Sequence, residues 1–165
     1  MLAIGQAAAS GNRGSRNAAR VIAFARERGD LVVNIRHEAP DAPFFVPGSE
    51  GTNINEAVQP RPDEEIITKN FPNSFRETGL KDLLDQHDVD EVIIVGAMSH
   101  MCIDAGVRAA SDLGYATVTI HDACATMDLT FGETTVPAAQ VHAAIMAGLE
   151  MFYGEVITTD DFMSR

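Results

Sequence analysis

The sequence predicts an α/β fold, a parallel sheet with helices packed on both faces. Three observations predict it. Short apolar runs alternate along the chain with longer stretches at helical spacing. The run Val92-Ile93-Ile94-Val95 is apolar at every position, as a strand covered on both faces must be. The 165 residues suit one core, so 1–165 is read as a single domain.

Each element follows from local chemistry. Ala18, Val21, Ile22 and Ala25 recur at helical spacing, and Gly29 stops that helix. Leu31 to Ile35 is a short apolar run, hence a buried strand. Residues 37–62 carry Pro40, Pro43, Pro47, Gly48, Gly51, Pro60 and Pro62, and read as one long irregular loop. Glu65 to Lys69 is a second strand. Thr78 caps a helix carrying Leu80, Leu83 and Leu84. After the strand Val92–Val95, residues 101–113 form a helix that Gly114 ends. Tyr115 to Ile120 is a strand, and Cys124 falls in the turn after it. Pro137 opens a helix as its first residue, running to about Tyr153, and Glu155 to Thr158 closes an edge strand.

Composition excludes several classes. Apolar residues are 45% and charged residues 22%, so the chain can build a core and is not disordered. A net charge of -12 repels phosphate backbones and argues against a nucleic-acid partner. No apolar run approaches the ~20 residues of a membrane helix. Two cysteines and no leader pattern suggest a reducing, cytoplasmic setting. Residues 1–26 hold Arg13, Arg16, Arg20 and Arg26 and no acid. That start is the basic face of a first surface helix or, less favoured, an organelle transit peptide.

In an open parallel sheet the site lies at the carboxyl ends of the strands. There the stretch from Val95 through Cys102 sets a cysteine at the opening of a helix. Unpaired N–H groups and the helix dipole favour a thiolate at such a place, and the same N–H groups can hold an oxyanion. A small buried thiol packing like alanine is the structural alternative. Lys69, one of two lysines, ends its strand in the same crevice, where a cation supports a thiolate. A solvated strand-end lysine is its alternative.

Ile67-Thr68-Lys69-Asn70, Asn73-Ser74-Phe75, Val95 through Asp104, Arg108 through Tyr115 and His121 through Thr126 resemble the isochorismatase-like cysteine hydrolases. So does the helix from Pro137 through His142; the likeness covers roughly residues 18 to 160. The resemblance implies a three-layer, Rossmann-like sheet of strand order 3-2-1-4-5-6 and a homo-oligomer, dimer or tetramer. It implies a small-molecule substrate whose C–N bond is cleaved through an acyl-enzyme, with no cofactor. Cys102 is then the nucleophile and Lys69 its supporting cation. A cis peptide is implied at Ala97–Met98, with the N–H groups of Met98 and Cys102 as oxyanion donors.

The family's third group, an aspartate ending an N-terminal strand, has no counterpart. Met1 to Gln6 echoes that strand with Gly5 at the acid's place, and the next acid is Glu27. The first strand is therefore expected to be absent or vestigial. Either the chain lacks its true start, or it is an inactive relative that binds or oligomerises, or another group among His37, Glu38, His100 and Asp128 substitutes. The first two readings are favoured.

The remaining candidates are weaker. Some relatives hold zinc through Asp-x-His and a further His; here Ile35-Arg36-His37-Glu38 offers one histidine, so no metal is expected. His37 is read as lining the pocket, with His100 and Met101 shaping the acyl side. Phe44, Phe45 and Pro47 are a lid or an oligomer contact. Of Phe71 and Phe75, one walls the pocket and the other is core. Cys124 is read as structural and His142 as packed or at an interface. A peroxide-formed Cys102–Cys124 bond would mark a redox thiol instead.

Overall fold

Pleating decides the layers, because successive strand residues face opposite sides. In a computed structural model, which describes residues 2–4 and 13–165, β1 (Leu2–Ile4), α1 (Arg13–Arg28) and β2 (Val32–His37) are followed by β3 (Glu65–Lys69) and α2 (Leu80–Gln86). Then come β4 (Glu91–Ala97), α3 (Asp104–Asp112) and β5 (Ala116–Ala125). The hairpin β6 (Leu129–Phe131) and β7 (Thr134–Val136), α4 (Ala138–Phe152), β8 (Glu155–Ile157) and α5 (Thr159–Met163) complete the chain.

Six strands form one sheet in the order β3-β2-β1-β4-β5-β8, every pair parallel. A short first strand is thus present, three residues long and between β2 and β4. Gly5, at the place of the family's acid, lies outside the described residues. Ile93, Val95, Val118 and Ile120 point to one face, against Ala18, Val21, Ile22 and Ala25 of α1 and Phe162 of α5. Val92, Ile94, Val33 and Ile35 point to the other, against Leu84 of α2, Val107 of α3 and Leu149 of α4. Each fully buried side chain of this size contributes about 1.5–3 kcal/mol. Arg20 and Arg26, from the basic start, pair with Asp160 and Glu64 across the surface of α1.

Several boundaries differ from the sequence reading; Gly79 rather than Thr78 caps α2, although the Thr78 hydroxyl accepts the Leu80 N–H at 3.3 Å. The first buried strand runs on to His37, which carries that side chain to the carboxyl end of the sheet. The helix placed at 101–113 is a π-helical turn over Ser99–Ile103 followed by α3, and Gly114 with φ +94 ends it. β5 continues through Cys124, which pairs with Gly96 and is buried within the strand, not in a turn. Pro137 is the cap of α4 rather than its first residue, because its backbone is extended (ψ 144) and Asp128 Oδ1 accepts the Ala138 N–H at 2.7 Å. The 37–62 loop is irregular apart from short 3-10 turns, and Thr52 and Val58 tie it to the interior. No described helix is long and apolar enough to cross a membrane.

Candidate active site

Strand ends and two loops enclose a cavity of about 690 Å³ at the carboxyl side of the sheet. His37 of β2, Lys69 of β3 and Ala97 of β4 reach it from the sheet. Met98, His100, Met101 and Cys102 reach it from the turn after β4. Phe44, Phe45 and Asn53 come from the long loop, and Thr126 and Met127 from the segment after β5.

The turn is built by local backbone chemistry. Gly96 takes φ +127, a region costly for any residue with a Cβ, where the β4–β5 register shifts. The Ala97–Met98 peptide is cis. The Met98 carbonyl then accepts from Met101 N–H at 3.0 Å and Ile103 N–H at 3.2 Å, which closes the turn and carries Cys102 to the cavity one residue before Ile103 and α3. Ser99, fully buried, anchors the turn from below. Its hydroxyl donates to the Ala125 carbonyl at 3.3 Å and lies 2.9 Å from His142 Nδ1.

Lys69 is 2% exposed, which is rare for a lysine. Its ammonium donates to the carbonyls of Phe71 at 2.8 Å and Pro72 at 2.7 Å. Burial lowers its pKa, and the charge and hydrogen bonding of Cys102 work in the opposite direction. The cation is therefore fixed beside the thiol.

His37 stands opposite Lys69 in the β2–β3 register. Its ring meets the Phe45 ring edge-on at 5.3 Å, and its buried Nδ1 has no partner among the described residues. Burial first, and the Lys69 charge second, hold its pKa below the ordinary histidine value. His100 Nδ1 lies 2.6 Å from Thr126 Oγ1, and burial lowers its pKa too.

The other sequence candidates lie elsewhere. Phe71 supplies only its carbonyl; its ring sits under the Arg76 guanidinium at 3.6 Å. Phe75 stacks on Tyr115 at 6.1 Å and packs against the core. Neither lines this cavity, because the chain bends after Lys69 to wrap its ammonium in carbonyls, but Phe75 meets Cys102 at a second, smaller pocket with Ile103 and Gly106. Glu38 pairs with Arg36 at 3.3 Å, and Asp128 caps α4. Among the described residues no carboxylate lines the cavity, and residues 1–26 contain none to offer. No group of three or more His, Cys, Asp or Glu among the described residues is placed to hold a metal ion. Burial pushes the Cys124 thiol up to about 12, as for an inert core cysteine. Asn53 and Met127 carry no sequence signal; the Ser99–His142 contact joins residues 43 apart and has none either.

The arrangement sets a thiol beside a buried cation on a largely apolar cavity, a pairing that can support attack on a polarised carbonyl. The sequence profile of the isochorismatase domain matches residues 2–161. The isochorismatase family protein YddQ of Bacillus subtilis is 42% identical over 92% of this chain and 85% of its own length. Maleamate amidohydrolase of Pseudomonas putida is 28% identical over 90% of this chain and 72% of that enzyme. A solved structure from Oleispira antarctica, assigned as an isochorismatase hydrolase, superposes with a TM-score of 0.91 at 41% identity, covering 99% of this chain and 96% of that one.

Proposed function

The chain belongs to the isochorismatase family of hydrolases, and from that premise we propose that it cleaves a C–N bond of amide type in a small molecule, through a thioester on Cys102. One observation carries this reading: Cys102 and the buried Lys69 meet on one cavity, with the thiol favouring the ammonium. Cys102 Sγ attacks the carbonyl carbon, and Lys69 supports the negative charge on sulfur. The N–H groups of Met98 and Cys102 receive the oxyanion, a contribution typically worth about 2.7–4 kcal/mol per donor. The amine leaves, and water releases the acid from the thioester. Phe45, His100 and Met101 bound the acyl group. A family relative named for amide hydrolysis supports the bond type.

Iodoacetamide labelling followed by peptide mass mapping tests it. Cys102 should alkylate readily at neutral pH while buried Cys124 does not, and Cys102→Ala should abolish turnover of small amides. An inert Cys102 would sink the reading.

Among the described residues no carboxylate lines the cavity, which favours a second reading, a domain that binds or oligomerises without catalysis. It requires that Cys102→Ala change nothing measured on a broad amide panel. Under either reading we propose a dimer or tetramer, supported by the exposed Phe131, Met151 and Phe152. Light scattering of the purified chain checks that assembly.

A further inference from the structure

We propose that His37 carries the protons of this reaction, in the part a carboxylate would otherwise fill. The proposal rests on the Cys102 reading above. It follows from what reaches the cavity. No carboxylate does among the described residues; Glu38 is held by Arg36, and Asp128 caps α4. Two histidines do. His100 has one ring nitrogen committed to Thr126. His37 has no such bond: its Nδ1 is buried and without a partner among the described residues, so Nε2 is the nitrogen left to serve the cavity that the ring lines with Cys102. A buried polar atom left unpaired is an exception that calls for a reason, and a part in proton transfer is one.

The surroundings keep His37 in the accepting form. Lys69 faces it across β2–β3, Cys102 and His100 face the cavity from the turn after β4, and the Arg36–Glu38 pair flanks it on its own strand. The long loop brings only Phe44, Phe45, Gly51 and Asn53 to the wall, none of them titratable. Burial and the Lys69 charge both oppose an imidazolium, so the ring is neutral at pH 7.

The steps balance. The neutral imidazole takes the Cys102 thiol proton as sulfur attacks the carbonyl carbon and the π pair moves to oxygen. The tetrahedral adduct collapses, the C–N bond breaks, and the imidazolium gives its proton to the leaving nitrogen. Water then attacks the thioester, its proton passes to His37, and the C–S bond breaks to free the acid. The proton held by His37 returns to the thiolate.

p-Nitrophenyl acetate and p-nitroacetanilide test the proposal on the full chain, because nitrophenolate leaves unprotonated and the anilide nitrogen does not. In the wild type the ester should place an acetyl group on Cys102, seen by mass mapping. His37→Gln should slow transfer of acetyl from the ester to Cys102, and slow its release and anilide cleavage ~10²-fold or more, because those two steps also need the ring to exchange a proton with water or the leaving nitrogen. KM for the anilide should stay within about twofold, since acylation and release slow together. His100→Gln should not reproduce this pattern. Should His37→Gln fail to fold, His37→Asn and the wild-type profile replace it: release must fall with acid along a limb below the ordinary histidine pKa. Release as fast in the variant as in the wild type overturns the proposal, as does a profile without that limb. A wild type that never acetylates Cys102 overturns the Cys102 reading itself.

Discussion

Lys69 is the residue on which the site and its stability meet. An ammonium in a buried position is disfavoured, and two carbonyls plus the neighbouring thiol hold it there. Its pKa is lowered in the folded chain, so between that value and the ordinary 10.5 the unfolded chain holds more protons. Stability therefore rises with pH across that window and is flat below it, where both states are protonated. Lys69→Met keeps the length and removes the charge. Urea unfolding from pH 8 to 10.5 should show the alkaline gain in the wild type and not in the variant. The same substitution should lower the iodoacetamide reactivity of Cys102 about tenfold or more, since it removes the cation that supports the sulfur. A Cys102 that alkylates unchanged in Lys69→Met would separate the two residues and end the dyad reading.

Among the elements, α4 gives a sharp division between structure and chemistry. Asp128 accepts the Ala138 N–H at the start of α4, a place where a carboxylate also meets the helix dipole. Asp128→Ala should cost about 0.5–2 kcal/mol in urea unfolding and leave the release of acetyl from Cys102 untouched. A collapse of turnover at unchanged stability would return Asp128 to the list of catalytic acids. The long apolar elements were legible in the sequence because each commits several residues to one period. Val92–Val95 is buried at every position, and α1 repeats its apolar stripe from Ala18 to Ala25 over about two turns. The hairpin β6–β7 was not legible: three residues a side around Gly132 carry too short an alternation. α5, five residues long, shows only its capping box of Thr158 and Asp161. At the site, Cys102 and Lys69 were legible because a strand end fixes where each must point. Phe71 and Phe75 were not, since two residues beyond a strand end the chain is free to turn, and here it turns to give Lys69 its carbonyls.

For the molecule as a whole, acid sets two effects against each other. A net charge of -12 means that falling pH relieves repulsion among carboxylates and favours the compact state. Against it stand three histidines held neutral: burial lowers the pKa of His37, His100 and His142, with Lys69 adding to the first and His121 to the last. Between their folded values and 6.5 the unfolded chain takes up protons that the native chain refuses, so stability falls as pH falls through that window. The slope approaches about 1.4 kcal/mol per pH unit for each such group. A second loss begins only at more acid pH. Glu64, despite its burial, is held below its ordinary value by Arg26, and it contributes stability that disappears as it protonates. Ionic strength separates the two effects. Surface repulsion is screened beyond a Debye length of about 8 Å at 0.15 M salt, whereas the buried imidazoles are shielded from salt. At high salt, urea midpoints should therefore drop steadily from pH 7 to pH 5, and at low salt the drop should be shallower. His142→Gln, which removes a titrating ring from beneath Ser99, should flatten the high-salt slope by its share. A midpoint that holds level or climbs toward pH 5 at high salt would mean that the histidines meet compensating acids in the folded chain, and the reading of a cavity wall without carboxylates would fall with it.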